Sequence, residues 1–416
     1  MLPVSNRPID NGAVFVSGGR IVDVGVVGEI EAPSGTPVQD LGEVMLMPGL
    51  VNGHCHLEYT RMAGQVPPGD TFTDWLQRII RLKRTWKEKQ FRDSWREGAQ
   101  MLLDSGTTTV ADIVSVPSLT PGIWSDSRLR VVAFLEMTGL LGDSSSVEIV
   151  ESTVRLVREL SGRGESVGLS PHSLYSTANG LPGVSAQAAS EEGWLTTTHL
   201  AESDEEFEMF QEGRGELYDW LADLGRDMSD CGGCSPVAVA QGQGMMNPML
   251  LAAHVNRLGD GDAGRLGGAG AHVVHCPGSH DFFGHAPLPY EELVGAGVNV
   301  CLGTDSLASI LLNDDGTRRL SMFDEMKRFA SEFPGIAADQ IVRMATMNGG
   351  KALGRQGLLG ELTPGGNADC MALPYSGGMK EVYESVVQFA GEGITVMVAG
   401  EWAERKRADD RQSLTD

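Results

Sequence analysis

Five residues with metal-binding chemistry stand at the C-terminal ends of short apolar runs: His54 and His56 in Gly53-His-Cys-His-Leu-Glu58, then His199, His254 and Asp305. Successive side chains of a strand alternate between its faces, so a His-x-His pair sends both imidazoles to the same side. Neutral imidazole suits zinc or iron, and a carboxylate balances part of the ion's charge while a position stays open for water. Water on such an ion has its pKa drawn toward neutrality, which makes hydroxide available as a nucleophile. The pattern points to metal-assisted hydrolysis, provided the fold brings these residues together.

The elements that could do so read as eight apolar runs, each ending in or just before a polar or ionisable group. They are 44–52 leading to His54, then 107–112, 131–136, 167–172, 195–199, 250–254, 271–275 and 298–305. Segments long enough for a helix separate them, such as 94–103 with its 3.6-residue apolar spacing. Strand, crossover and strand again is the grammar of a parallel sheet. Eight such units over roughly 250 residues predict an α/β fold of the (β/α)8 TIM-barrel type, with its chemistry at the C-terminal strand ends.

The barrel is expected over 49–355. Residues 1–48 and 356–404 read as short strands and turns, among them Ala13–Val16, the Gly18-Gly19 turn, Arg20–Val24 and Ile394–Val398. These predict a small composite β-sandwich built from both termini. The stretch 405–416 reads as a polar tail.

A chain of 416 residues has room for one large barrel and a small second unit. It contains no run of about 18 apolar residues, and its start lacks the basic and apolar regions of a secretory signal, so no membrane span and a cytoplasmic location are expected. The net charge of -24 argues against a nucleic-acid polymer and leaves a small-molecule substrate as the partner. Residues 78–92 reverse that sign locally, with Arg78, Arg81, Lys83, Arg84, Lys87, Lys89 and Arg92 against Glu88. This run reads either as a solvated helix face or as a lid that attracts an anionic substrate. The six cysteines show no disulfide framework, and Cys231-Gly-Gly-Cys234 lacks the second pair or the histidines that a structural zinc site needs.

Several motifs, in order, carry a family likeness: Met47-Pro-Gly-Leu-Val-Asn-Gly-His-Cys-His56, His199-Leu-Ala-Glu202, Leu251-Ala-Ala-His254, Leu302-Gly-Thr-Asp-Ser-Leu-Ala308, Ala345-Thr-Met-Asn-Gly349 and Gly360-x-Leu-x-Pro-Gly-x-x-Ala-Asp369. Together they resemble the amidohydrolase superfamily over essentially the whole chain, and within it the mononuclear deaminase and chlorohydrolase branch. That resemblance implies one divalent metal per chain, zinc first and iron second, held by His54, His56, His199 and Asp305. Binuclear members carry a bridging lysine at the fourth strand end, where this chain has His172. The resemblance also implies that Glu202 is the general acid and base, protonating a ring nitrogen and then the leaving amine. The competing reading makes Glu202 a cap for the helix that opens at Ser203.

His254, at a strand end, is expected to orient the attacking hydroxide by a hydrogen bond, and Asp305 to accept that water's proton. His172 is assigned as a substrate contact, and Glu58 and Arg61 as substrate-binding residues of the barrel mouth. His275, His280 and His285 are assigned to loop architecture, with room for one substrate contact among them. The forms His-Cys-His-Leu-Glu58, His275-Cys-Pro-Gly-Ser-His280 and Gly303-Thr-Asp-Ser-Leu-Ala-Ser309 are similar to aminodeoxyfutalosine deaminases. Their substrate joins an adenine to a ribose-like unit and a benzoate, whose carboxylate would meet Arg61 or the basic segment.

The expected reaction is hydrolysis of an aromatic C–NH2 to C=O with release of ammonia. The alternative is a chlorohydrolase, or another C–N hydrolase, acting on a triazine, pterin, guanine or cytosine type of ring. A reading from another class, a non-catalytic scaffold, sits badly with five intact residues, because such scaffolds have usually lost ligands. A homodimer is the expectation by analogy alone.

Overall fold

The computed structural model describes residues 1–140, 144–313, 316–390 and 393–403. The chain opens with an antiparallel hairpin, β1 (Gly12–Ser17) and β2 (Arg20–Val26). Its turn residues Gly18 and Gly19 have φ of 58° and 74°, the left-handed pair that a tight hairpin needs. The run 44–52, expected as one strand, is two. β3 (Val44–Pro48) belongs to a terminal sheet, and β4 (Leu50–Cys55) starts the barrel. The change of sheet falls at Gly49, where a Cβ would lie 2.1 Å from the Thr108 side chain.

Seven further strands follow: β5 (Thr107–Val114), β6 (Arg130–Met137), β7 (Val167–Pro171), β8 (Thr196–Leu200), β9 (Leu250–His254), β10 (His272–His275) and β11 (Asn299–Leu302). β4 to β11 lie side by side in sequence order, every pair parallel. The first and last meet through a parallel bridge between Cys55 and Asp305, with Thr304 N–H and Asp305 N–H donating to the His54 carbonyl. That approach is close enough to demand Gly303, where a Cβ would stand 2.9 Å from the His54 backbone.

Alternation along the strands sorts their side chains into two cores. Val51, Ala111, Ile113, Val132, Phe134, Leu251, Val274 and Cys301 form one cluster, while Leu50, Val110, Ala133, Leu135, Leu250 and Val273 join the larger one with the surrounding helices. Strict register is lost in β4 between Asn52 and Cys55, at the strand end that carries His54. Irregularities of this kind re-aim side chains beside active sites.

After the barrel, β12 (Cys370–Pro374), β13 (Thr395–Val398) and β14 (Glu401–Trp402) join β3 in an antiparallel sheet of order β14-β13-β12-β3. Val14, Val16, Ile21 and Val24 of the hairpin pack with Leu46, Cys370 and Met397 of that sheet. Both ends of the chain thus build one small sandwich. The polar tail expected over 405–416 lies outside the described residues. Among the described residues no helix is long and apolar enough to cross a membrane.

Candidate active site

The strand ends bring His54, His56, His199 and Asp305 together, with one potential ligand atom from each lying within 4.8 Å of the others. His56 Nε2 is 3.2 Å from His199 Nε2, and Asp305 Oδ1 is 3.7 Å from His54 Nε2 and 3.6 Å from His56 Nε2. All four residues are buried. Neither ring nitrogen of His54 has a hydrogen-bond partner, nor does His56 Nδ1. Buried polar atoms are rarely left unpaired, because each costs about 1–3 kcal/mol. Three imidazoles and a carboxylate with free lone pairs converging on one point are what a divalent metal requires, so the residues fit such an ion.

Neighbours fix the orientation of these ligands. His199 Nδ1 lies 2.7 Å from the His172 carbonyl, a bond that places the proton on Nδ1 and turns Nε2 toward the cluster. Asp305 Oδ2 accepts from Ser309 Oγ at 2.9 Å, leaving Oδ1 to face the imidazoles. Asn52 joins the two closing strands by donating to Thr304 Oγ1 and accepting from Thr304 N–H. These supports escape sequence reading because Asn52, Thr304 and Ser309 have no spacing that marks them.

Two carboxyls at this rim are driven in opposite directions. Burial would raise Asp305, yet the imidazoles of His54, His56 and His254 hold it well below the usual carboxylate range. Burial pushes Glu202 well above that range, and the charges of Asp305, Glu206 and Glu205 push it further. Burial likewise holds His56, His172 and His254 well below the usual imidazole value, and His199 at about 4. Asp305 is thus biased toward the carboxylate, Glu202 toward the protonated carboxyl, and His56, His172, His199 and His254 toward the neutral imidazole. Groups whose environments separate their pKa values in this way divide acid and base roles.

Glu202 Oε1 is 3.6 Å from His254 Nε2. The helix Asp204–Glu212 is capped by Ser203, whose side chain accepts from Glu206 N–H, so the Glu202 side chain is not its cap. Ala201, His254, Val255 and Asp305 have φ of 50°, 73°, 52° and 52°. They make up most of the non-glycine residues with positive φ among those described, and such strain gathers at functional sites.

The expected mouth residues are placed differently. Glu58 is buried and accepts hydrogen bonds from the N–H groups of Ser115 and Val116, so it ties down a loop after β5 rather than facing a ligand. Arg61 pairs with Glu97 at 2.8 Å and Asp93 at 3.3 Å on the helix Glu88–Asp104. His172 does lie at the rim, its ring stacked on His199 at 4.5 Å and its Nδ1 2.6 Å from Ser176 Oγ. Within the basic segment Arg81, Arg84 and Lys87 are exposed, as for a solvated helix face. Lys83 alone turns inward, to Glu136. Cys231 and Cys234 are free thiols.

The amidohydrolase family model matches residues 45–403. Over 387 aligned residues the chain is 29% identical to the 5-methylthioadenosine/S-adenosylhomocysteine deaminase of Moorella thermoacetica, covering 89% of this chain and 82% of the relative. A zinc-bound adenosine deaminase of Xanthomonas campestris superimposes with a TM-score of 0.81 at 24% identity, covering 96% of this chain and 90% of that one. The aminofutalosine deaminase of Helicobacter pylori, solved with methylthio-coformycin, gives 0.80 at 21% identity, covering 95% and 96%. These two likenesses show the shared fold.

Proposed function

Since the chain belongs to the amidohydrolase family, we propose that it is a hydrolytic deaminase of an amino-substituted, purine-like heterocycle, converting C–NH2 to C=O with release of ammonia. The observation that carries this reading is the convergence of His54, His56, His199 and Asp305 beside the Glu202–His254 pair. The deaminase activities named for the Moorella and Helicobacter proteins support it.

One divalent ion per chain, zinc ahead of iron, would be held by those four residues, and when bound it supplies Lewis-acid activation of the nucleophilic water. Asp305, ionised among imidazoles, accepts the proton that water gives up. His254, whose buried Nε2 makes no hydrogen bond, holds the attacking oxygen. Glu202 protonates the ring nitrogen next to the reacting carbon, so that the carbon accepts the nucleophile. The Glu202 carboxylate so formed takes the proton left on the added oxygen and carries it to the amino group, which leaves as ammonia while that oxygen becomes the carbonyl, and the proton held by Asp305 returns to Glu202. A carboxyl held protonated by burial suits the first of these steps. His172 bounds the space next to His199.

Ammonia release from a panel of aminated purines, pyrimidines, pterins and their nucleosides tests the proposal. It predicts turnover on at least one purine-type ring. Chloride release from chlorotriazines, with no ammonia from any aminated ring, would overturn it in favour of the chlorohydrolase chemistry.

A further inference from the structure

The helix Phe72–Thr85 buries Phe72, Leu76 and Ile79, and the same face continues to Lys83. A lysine in that position needs a partner. Its Nζ lies 4.7 Å from the Tyr59 ring centroid and 3.8 Å from Glu136 Oε2. Glu136, next to last in β6, has a side chain only 6% exposed, and its Oε1 makes no hydrogen bond. The Tyr59 hydroxyl is also buried without a partner. Glu136 Oε1 is 3.9 Å from His172 Nε2, and His172 stacks on His199, so this group lies one side chain from the ligand cluster.

A carboxylate oxygen, an ammonium and a phenol offer acceptors and donors side by side. A hydroxyl group uses both, donating to the carboxylate and accepting from the ammonium, and two adjacent hydroxyls use them twice. An anionic substituent would instead face the Glu136 charge, with the nearby cation already committed to it. Resting on the deaminase reading, we propose that Glu136, Lys83 and Tyr59 form the subsite for a neutral vicinal-diol substituent on the heterocycle, of the ribose kind, with Glu136 as the residue that sets specificity. Arg61, expected to meet a carboxylate-tipped extension, stands outside this group, paired with Glu97 and Asp93.

The test compares adenosine, 2′,3′-dideoxyadenosine and adenosine-5′-carboxylate as substrates of metal-loaded wild type, Glu136→Gln and Lys83→Met. Calorimetric binding of inosine and metal content are measured alongside. Hydrogen bonds to charged groups predict that the dideoxy compound is about ten- to a hundredfold poorer than adenosine in kcat/KM for wild type. Glu136→Gln should raise KM for adenosine and weaken inosine by a similar factor, while metal content stays the same and the dideoxy compound changes by less than about threefold. Lys83→Met should shift KM in the same direction. Equal use of adenosine and the dideoxy compound by wild type, or an equal loss of both in Glu136→Gln, would overturn the subsite, whereas the carboxylate, which keeps the diol, should lose as much as adenosine in Glu136→Gln. If wild type deaminates none of the three, the wider panel of aminated rings decides the deaminase reading separately. Inosine binding then decides the subsite, upheld if binding needs Glu136 and overturned if it does not.

Discussion

Two parts of the barrel rim carry clustered histidines, and they are built differently. At the ends of β4, β8 and β9 the rings of His54, His56, His199 and His254 lie near one carboxylate, Asp305, on positions set by the strands. At the end of β10 and in the helix after it, His275 and His280 stand 3.9 and 3.8 Å from opposite oxygens of Glu332, a residue of the helix Met322–Glu332. His280 Nδ1 also meets Asn256 Oδ1 at 3.3 Å, and Asn256 donates to the Glu202 carbonyl. Burial works against ionisation of Glu332, but His275 and His280 hold it below its usual value. In the second cluster the carboxylate lies between imidazoles instead of gathering them, and among the described residues no metal-type group forms there. Histidine number therefore does not make a metal site. Projection from neighbouring strand ends onto one oxygen does.

The most damaging substitution for this contrast is His199→Ala, which should empty the first cluster and abolish turnover, while His280→Asn should keep both the metal and most of the activity. Ammonia assays on the two variants side by side check this, and a His280→Asn enzyme as dead as His199→Ala would erase the distinction. Glu202→Gln comes next. Turnover should fall by about two to four orders of magnitude, the range for losing a general acid or base, with metal content near wild type. Loss of the metal from that variant would make Glu202 a ligand.

Much of the first cluster was legible because each contributing strand is a short apolar run that stops at an ionisable residue, and barrel geometry sends such ends to one rim. What stayed hidden depends on three-dimensional pairing. Val44–Asn52 looks like a single strand, since an apolar run carries no mark of where the chain leaves one sheet for another. Glu58 follows the His-x-His pair and reads as a mouth residue, yet the loop at Ser115 and Val116 captures it. Lys83 is one of seven cations in its segment, and only the helical phase it shares with Phe72, Leu76 and Ile79 separates it from the solvated ones. Glu136 ends a run as expected, but its partner is 53 positions away in sequence and invisible from it.

Carboxyls outside the imidazole ring sharpen the contrast through pH. Glu325, on the helix that supports the second cluster, accepts from Gly278 N–H, and burial raises its pKa to about 8. A folded pKa above the unfolded one means that the native state holds the proton longer. Its contribution is complete below about pH 4.5 and is lost as pH rises toward 8. Glu325→Gln should therefore gain Tm relative to wild type between pH 5.5 and pH 8.5, measured at fixed metal loading. A difference that stays flat across that range would contradict the burial argument. The smallest effect is expected at Arg61, whose partners are exposed or half-buried. Arg61→Ala should cost less than about 1 kcal/mol in denaturant titration and leave kcat/KM within about threefold.

His54, His56, His199 and Asp305 are expected to hold one divalent ion. Elemental analysis of protein purified without chelators measures it directly, on wild type, His54→Ala, His199→Ala and the His280→Asn control. One equivalent in wild type and in His280→Asn, with little or none in the other two, is the predicted result. Two equivalents in wild type, or full occupancy after loss of His54 or His199, would contradict the account.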